Sequence, residues 1–303
     1  MGTSACYRAA MATNGDNLRG AGLMMASMAC FVLNDACMKA LSDELPLSQA
    51  LVLRGLSTTV LMYLLARHFG ALRFRVKRRD RKLILMRNAV EIATAYFFIT
   101  ALFNMPLANA TAIMLALPLT VTLAGAVFLG QAVGWRRLTA ILVGFSGVLL
   151  IVRPGLDGFN FYSIYVLIAV ALVTVRDILS RKISADVPNM TIALSNAISV
   201  TLAFGIVSLF NDWQPVTQTA GLQLAGASIF IIGGYIFSVS AMRVGEIAIV
   251  APFRYTSLLW ALTLGLVVFS EWPDMLTFVG SAIIVATGVY TFYRERRTTG
   301  VNP

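Results

Sequence analysis

Between Ile247 and Phe269 the chain carries an apolar run long enough to cross a bilayer as a helix, yet Pro252 and Arg254 both fall early in it. A spanning helix needs about 20 apolar residues at ~1.5 Å rise each. An arginine in mid-membrane costs roughly 2.5–3.5 kcal/mol on insertion scales. Proline removes one helical hydrogen bond, and its ring crowds the carbonyl a turn earlier. Both are tolerated together where the helix faces protein or water instead of lipid. The rest of the chain must therefore build a container around that position.

The other segments are of the same kind. Hydrophobic residues make up 58% of the 303 positions and charged residues 13%, about half the charged share of a soluble domain. Ten apolar segments are expected, at 19–41, 47–66, 83–104, 107–129, 135–152, 161–180, 190–210, 221–242, 247–269 and 274–293. Pro46, Pro106, Pro154-Gly155, Pro188-Asn189, Asn211 and Pro273 break the chain between them. This is an all-α, multi-pass integral membrane protein. Residues 1–18 and 294–303 are expected to be short tails, without the apolar core of a secretory signal.

Charge sets the orientation. With the N-terminus inside, Arg8, Arg19, the eight basic residues of the 67–82 loop, Arg136, Arg137, Arg181, Lys182, Arg243, Arg294, Arg296 and Arg297 all lie on the cytoplasmic side. The opposite loops hold only Arg153, and Asp43, Glu44, Asp157, Asp212, Glu271 and Asp274 collect there. Both termini are therefore expected in the cytoplasm of a bacterial cell, the chain crossing its inner membrane. The net charge of +10 is spread over short inner loops at helix ends and addresses the bilayer surface, not nucleic acid.

A shift of 140 residues lays Ala101 on Ala241, Ala108 on Ala248, Leu119 on Leu259, Gly125 on Gly265 and Val127 on Val267, and then Gln131 on Glu271. Trp135-Arg136-Arg137 follows Gln131, whereas Trp272-Pro273-Asp274 follows Glu271. The same turn carries positive charge in one half and negative in the other. Five spans per half produce this result, because an odd count makes the second half enter the membrane upside down. Two inverted five-helix repeats follow, 19–153 and 161–293, the plan of secondary transporters that hold substrate near mid-membrane between the halves.

The stretches Pro106–Ile113 through Leu117-Pro118, Gly144–Leu149, Gly245-Glu246, Ala251–Tyr255 and Ser270–Trp272 resemble the EamA-type members of the drug/metabolite transporter superfamily, over essentially Gly20 to Arg294. Gln131 stands where the resemblance has Glu. The resemblance implies transport, mostly export, of small organic molecules such as amino acids, nucleobases, drugs or metallophores. Similar proteins take up riboflavin or S-adenosylmethionine. It implies no cofactor, and a single chain suffices for a pathway.

The ionisable residues inside the spans are the functional candidates. Asp35 and Lys39 share one face of the first helix, four residues apart; Asp35 is placed at the cavity, and Lys39 lies near the outer end, where it can snorkel. Arg54 is expected to pair with Asp35 or Asp43, or to touch substrate. Glu91, a turn deeper than Arg87, is the candidate for proton coupling. Arg176 and Asp177 read as an interfacial gate or anchor. Arg254 is the first candidate for cargo, with pairing to Glu91 or Asp35 as its structural alternative. Tyr255, Trp260 and Tyr96 could offer aromatic faces to a planar substrate. Pro118 and Pro252 are expected to kink their helices, and Gly144 with Gly147 to permit close helix contact. His68 is the lone histidine and the three cysteines form no ligand pattern, which argues against a zinc site, a serine–histidine triad or a membrane-embedded enzyme. No Gly-x-x-x-x-Gly-Lys-Ser/Thr loop is present, so transport would draw on a gradient.

Overall fold

A computed structural model describes residues 14–68, 76–129, 135–154, 159–184, 186–244 and 247–298. Ten helical spans follow in order: α1 Asn14–Ala40, α2 Leu47–His68, α3 Arg78–Asn104, α4 Leu107–Leu129, α5 Trp135–Val152, α6 Tyr162–Lys182, α7 Asn189–Ser208, α8 Gln218–Val244, α9 Ile247–Phe269 and α10 Met275–Thr298. Eight are long and apolar enough to cross a bilayer, and α5 and α10 are shorter apolar helices. Gln131, residues 1–13 of the first expected tail and 299–303 of the second lie outside the described residues.

Prolines set several boundaries. Met105 precedes Pro106 and is driven into the extended region (φ −147°, ψ 161°), which stops α3 at Asn104. Pro106 and Pro188 then stand immediately before α4 and α7, where a missing N–H costs nothing. Two helices are interrupted. In α4 a helical segment ends at Met114, Leu115 and Ala116 form a turn, and a second segment starts at Leu117 with Pro118 in its first turn. In α9 the chain is α-helical over Ile247–Val250, 3₁₀ over Ala251–Tyr255 and α-helical again from Thr256. Pro252 has no N–H to give the preceding turn, and the tighter winding holds that stretch.

The packing carries an internal two-fold. The principal partners are α1 with α8, α3 with α6, α2 with α7, and α5 with α10; α1 also meets α9 as α6 meets α4, and α2 meets α8 as α7 meets α3. Exchanging the two sets of five helices leaves this pattern unchanged. Every principal pairing joins one half to the other. The halves are interlocked, not two bundles side by side.

The tightest packing lies at one end. The largest fully buried side chains include Met38, Leu41, Leu51, Leu102, Leu107 and Ile113, all at the ends of α1–α4 that charge assigns to the outer face. At the α5–α10 crossing two glycines bring the backbones into contact: a Cβ on Gly147 would sit 2.7 Å from Gly280 O, and one on Gly280 only 2.5 Å from Gly147 O.

At the end that charge assigns to the outer face, Arg153, after α5, is ion-paired with Asp274, which also accepts the Thr277 N–H at 2.9 Å and so caps α10. Burial pushes the Asp274 carboxyl up, but the hydrogen bond from Thr277 and the Arg153 charge outweigh it and hold the group below its ordinary value. A carboxyl lowered by folding stabilises above its unfolded value of about 3.9, and that contribution disappears as pH falls through the folded value. Asp274→Asn is therefore expected to lower the melting temperature of detergent-solubilised protein near neutral pH, with the gap to wild type closing below about pH 4. An equal gap at both pH values would exclude the charge contribution.

Candidate functional site: a charged cavity between two broken helices

The interruptions in α4 and α9 face one another across a cavity of about 730 Å³. Its walls come from α1, α3, α4, α6, α8 and α9; α2, α5, α7 and α10 contribute nothing to it. These six helices form two sets related by the internal two-fold, α1/α8/α9 and α3/α4/α6. The lining runs from Asp35, five residues short of the end of α1, past Met28 near its middle to Thr122, Arg181 and Met242, residues toward the ends that carry the basic loops. The cavity opens that way, away from the tightly packed end.

Charged groups of both signs lie on the wall and directly behind it. Asn34 Nδ2 donates to Asp35 Oδ1 at 2.9 Å, and Asn34 Oδ1 accepts from Arg54 Nη1 at 3.0 Å. Glu91 is ion-paired with Arg176 at 3.3 Å, and Arg176 also pairs with Asp177 at 2.9 Å. Arg254 lies one residue before the end of the 3₁₀ segment of α9 and is exposed to the cavity. Among the described residues no ion pair or hydrogen bond engages it; the charges acting on it are those of Asp177 and Arg176. The Thr256–Phe269 helix begins two residues on, and its N-terminal amides add positive potential in the same place. A guanidinium with free donors beside a helix N-terminus suits an anionic or carbonyl oxygen of a ligand.

The expected residues are distributed as follows. Asp35, Arg254, Tyr255 and Pro118 line the cavity. Tyr255 shows it only part of its ring, for its buried hydroxyl points at α10, where a Cβ on Gly288 would sit 1.6 Å from it. Glu91 lies behind the wall in its pair with Arg176, so neither it nor Asp35 is the partner of Arg254. Arg87 turns from Glu91 and donates to Ser180 Oγ at 2.9 Å. Arg176 and Asp177, read from sequence as an interfacial gate or anchor, line the cavity itself. Trp260 and Tyr96 are not brought to it. Trp260 is 42% exposed, six residues past Arg254 and so roughly two-thirds of a turn out of phase. Tyr96 is 44% exposed and borders a separate crevice with Ser48, Phe204 and Asn211. It packs with Phe97 and Tyr165 in an aromatic group toward the ends of α3 and α6 that charge assigns to the outer face, as interface belts do.

One constellation escaped the sequence reading. Lys39 does not snorkel: it is 9% exposed, ion-paired with Glu271 at 3.0 Å, and donates to Leu102 O at 3.3 Å and Met105 O at 2.6 Å. Glu271 in turn accepts the Leu107 N–H at the start of α4, at 2.9 Å. The group ties α1, α3, α4 and the end of α9 together at the closed end. The signal available was the i, i+4 spacing Asp35–Lys39, which recurs as Asp177–Arg181 in the first helix of the second half.

An interlocked pair of five-helix repeats, with interrupted helices meeting at a charged mid-membrane cavity, defines a transporter of the inverted-repeat type. The EamA-like transporter family model matches residues 18–153 and 160–293. The chain belongs to that family, and to its two-repeat, multi-pass form. It is 27% identical to the pseudopaline exporter CntI of Pseudomonas aeruginosa, over 89% of this chain and 95% of that one. It is 22% identical to the S-adenosylmethionine uptake transporter of Rickettsia conorii, over 92% and 94%, and 28% identical to the riboflavin transporter of Vibrio cholerae, over 60% and 61%. A solved crystal structure with 16% identity superposes with a TM-score of 0.65 over 91% of this chain and 98% of that one, which supports the fold alone.

Proposed function

We propose that the chain is a secondary transporter that moves a small organic metabolite across the bacterial inner membrane by exposing this cavity to each side in turn. The observation that carries the reading is Arg254, held toward a large cavity at the break of α9 with donors to spare. The substrate offers Arg254 an acidic or carbonyl oxygen and has room to present a cationic or hydrogen-bonding group to Asp35. Both termini face the cytoplasm, which makes the present state inward-open. Because the halves interlock, the units that move are α1/α8/α9 against α3/α4/α6, with α2–α7 and α5–α10 bridging them. Export is the first reading, supported by the end-to-end similarity to a pseudopaline exporter. Uptake of a vitamin or cofactor is the second, supported by the relatives named for S-adenosylmethionine and riboflavin. A transport role, not catalysis, accounts for the cavity. Comparing metabolites in medium and cytoplasm of cells with and without the protein, followed by uptake into proteoliposomes, tests this. Proteoliposomes that move no compound so identified would refute it.

A proton gradient is the proposed energy source. Protonating Glu91 would break its pair with Arg176, whereas Asp35 faces the cavity with a neutral amide as its bonded partner, so Asp35 is the better placed carrier. Substrate accumulation in proteoliposomes is expected to follow an imposed pH gradient and to lose that dependence in Asp35→Asn. Accumulation indifferent to the gradient in wild type would reject proton coupling.

A further inference from the structure

We propose that Lys39 and Arg181 are the two gate cations of the transport cycle, each sealing one end of the cavity while the other is released. The inference builds on the transport reading above. The first helix of each half carries the same pattern, Asn34-Asp35 followed four residues later by Lys39 and Arg176-Asp177 followed four residues later by Arg181, at an offset of 142. Asp35 and Asp177 both line the cavity, so the correspondence holds in space. The two cations stand in opposite conditions. Lys39 is buried, and its three donors go to Leu102 O, Met105 O and Glu271. Arg181 is exposed at the open mouth, with no hydrogen bond or ion pair among the described residues.

The helices show the same asymmetry. At the closed end α1 touches α3, while the mates of these helices, α6 and α8, make no comparable contact. Met242 on α8 corresponds to Leu102 on α3 at the 140-residue offset and lies at the mouth with Arg181. Inverted repeats can exchange conformations. In the exchanged state Lys39 leaves the α3 carbonyls, and Arg181 docks on the last carbonyls of α8, a helix end that attracts cations. The long, forked guanidinium reaches more than one of them.

The test uses the full chain with Cys6, Cys30 and Cys37 replaced by Ser and one reporter, Thr111→Cys, on the cavity wall. A membrane-impermeant thiol reagent is added to the outer face of right-side-out vesicles and the labelling rate is read. Lys39→Ala is expected to raise that rate by about tenfold or more, as loss of a buried charged contact implies, and Glu271→Gln to raise it in the same direction. Arg181→Ala is expected to lower it. Combining Arg181→Ala with Lys39→Ala is expected to bring the rate back toward the parent. A Lys39→Ala rate within twofold of the parent, or a higher rate in Arg181→Ala, would overturn the assignment. So would a double variant as open as Lys39→Ala alone, the signature of a damaged fold. No substrate is needed, so an Arg254→Ala chain that has lost transport still reports the gates, and the two readings fail separately.

Discussion

Arg254→Ala is expected to abolish measurable transport while leaving the protein inserted and folded. The side chain is exposed to the cavity and no hydrogen bond or ion pair holds it among the described residues, so its removal strands no buried partner. Its donors are available to the substrate, and a hydrogen bond to a charged group is worth about 1.5–3 kcal/mol. Loss of that contact raises KM by roughly 10- to 100-fold. Further loss in rate follows if the contact is also what draws α9 across the cavity. Arg254→Lys keeps the charge without the planar fork and should retain partial transport. The corresponding position in the first half is Met114, which also lines the cavity, so Met114→Ala controls for mere loss of bulk. Initial uptake rates in proteoliposomes, with detergent melting curves alongside, separate the outcomes. Normal uptake by Arg254→Ala would remove the residue from the binding site.

The largest effect on stability is expected from Gly280→Val. Its side chain would start 2.5 Å from the Gly147 carbonyl and 2.7 Å from Ile151 Cγ1. The first obstacle is backbone, which cannot rotate away. The helices must separate instead, losing the close approach that holds α5 to α10 in the absence of a hydrophobic drive between helices in lipid. Overpacking by small groups costs about 1–3 kcal/mol, and a branched side chain against backbone belongs at or above the top of that range. A lowered melting temperature or failed insertion is the expected reading. Gly205→Ala is the matched control, since a Cβ there meets nothing within 4 Å. If both substitutions behaved alike, the crossing would not depend on the glycine pair.

The membrane fold was legible because hydrophobic runs and breakers act locally: Pro106 and Pro188 mark helix starts, and the 140-residue offset carries the repeat. The inversion was legible from charge, since Trp135-Arg136-Arg137 and Trp272-Pro273-Asp274 occupy equivalent turns with opposite signs. Interlocking of the halves was not. Pairing α1 with α8 depends on which faces fit, and nearly uniform apolar helices give little sign of their preferred partner. For the same reason Tyr96 and Trp260 could not be placed, because an aromatic side chain suits a lipid boundary as well as a cavity. That Arg254 and Asp35 line the cavity was legible because charge in a span has few places to go. Lys39 was misjudged for a related reason: its depth allowed snorkelling, and only the fold reveals that Glu271, far along the chain, arrives beside it.

In the proposed transport cycle the α9 cation belongs to a wet wall reached from the cytoplasmic side. The direct measurement places a single cysteine at that position, Arg254→Cys in the cysteine-free chain, and treats inverted and right-side-out vesicles with an impermeant, charged thiol reagent. The account predicts fast labelling in inverted vesicles and slow labelling in right-side-out ones. A thiol that ignores the charged reagent on both sides, yet reacts with a lipid-soluble one, would place position 254 against acyl chains and contradict the account.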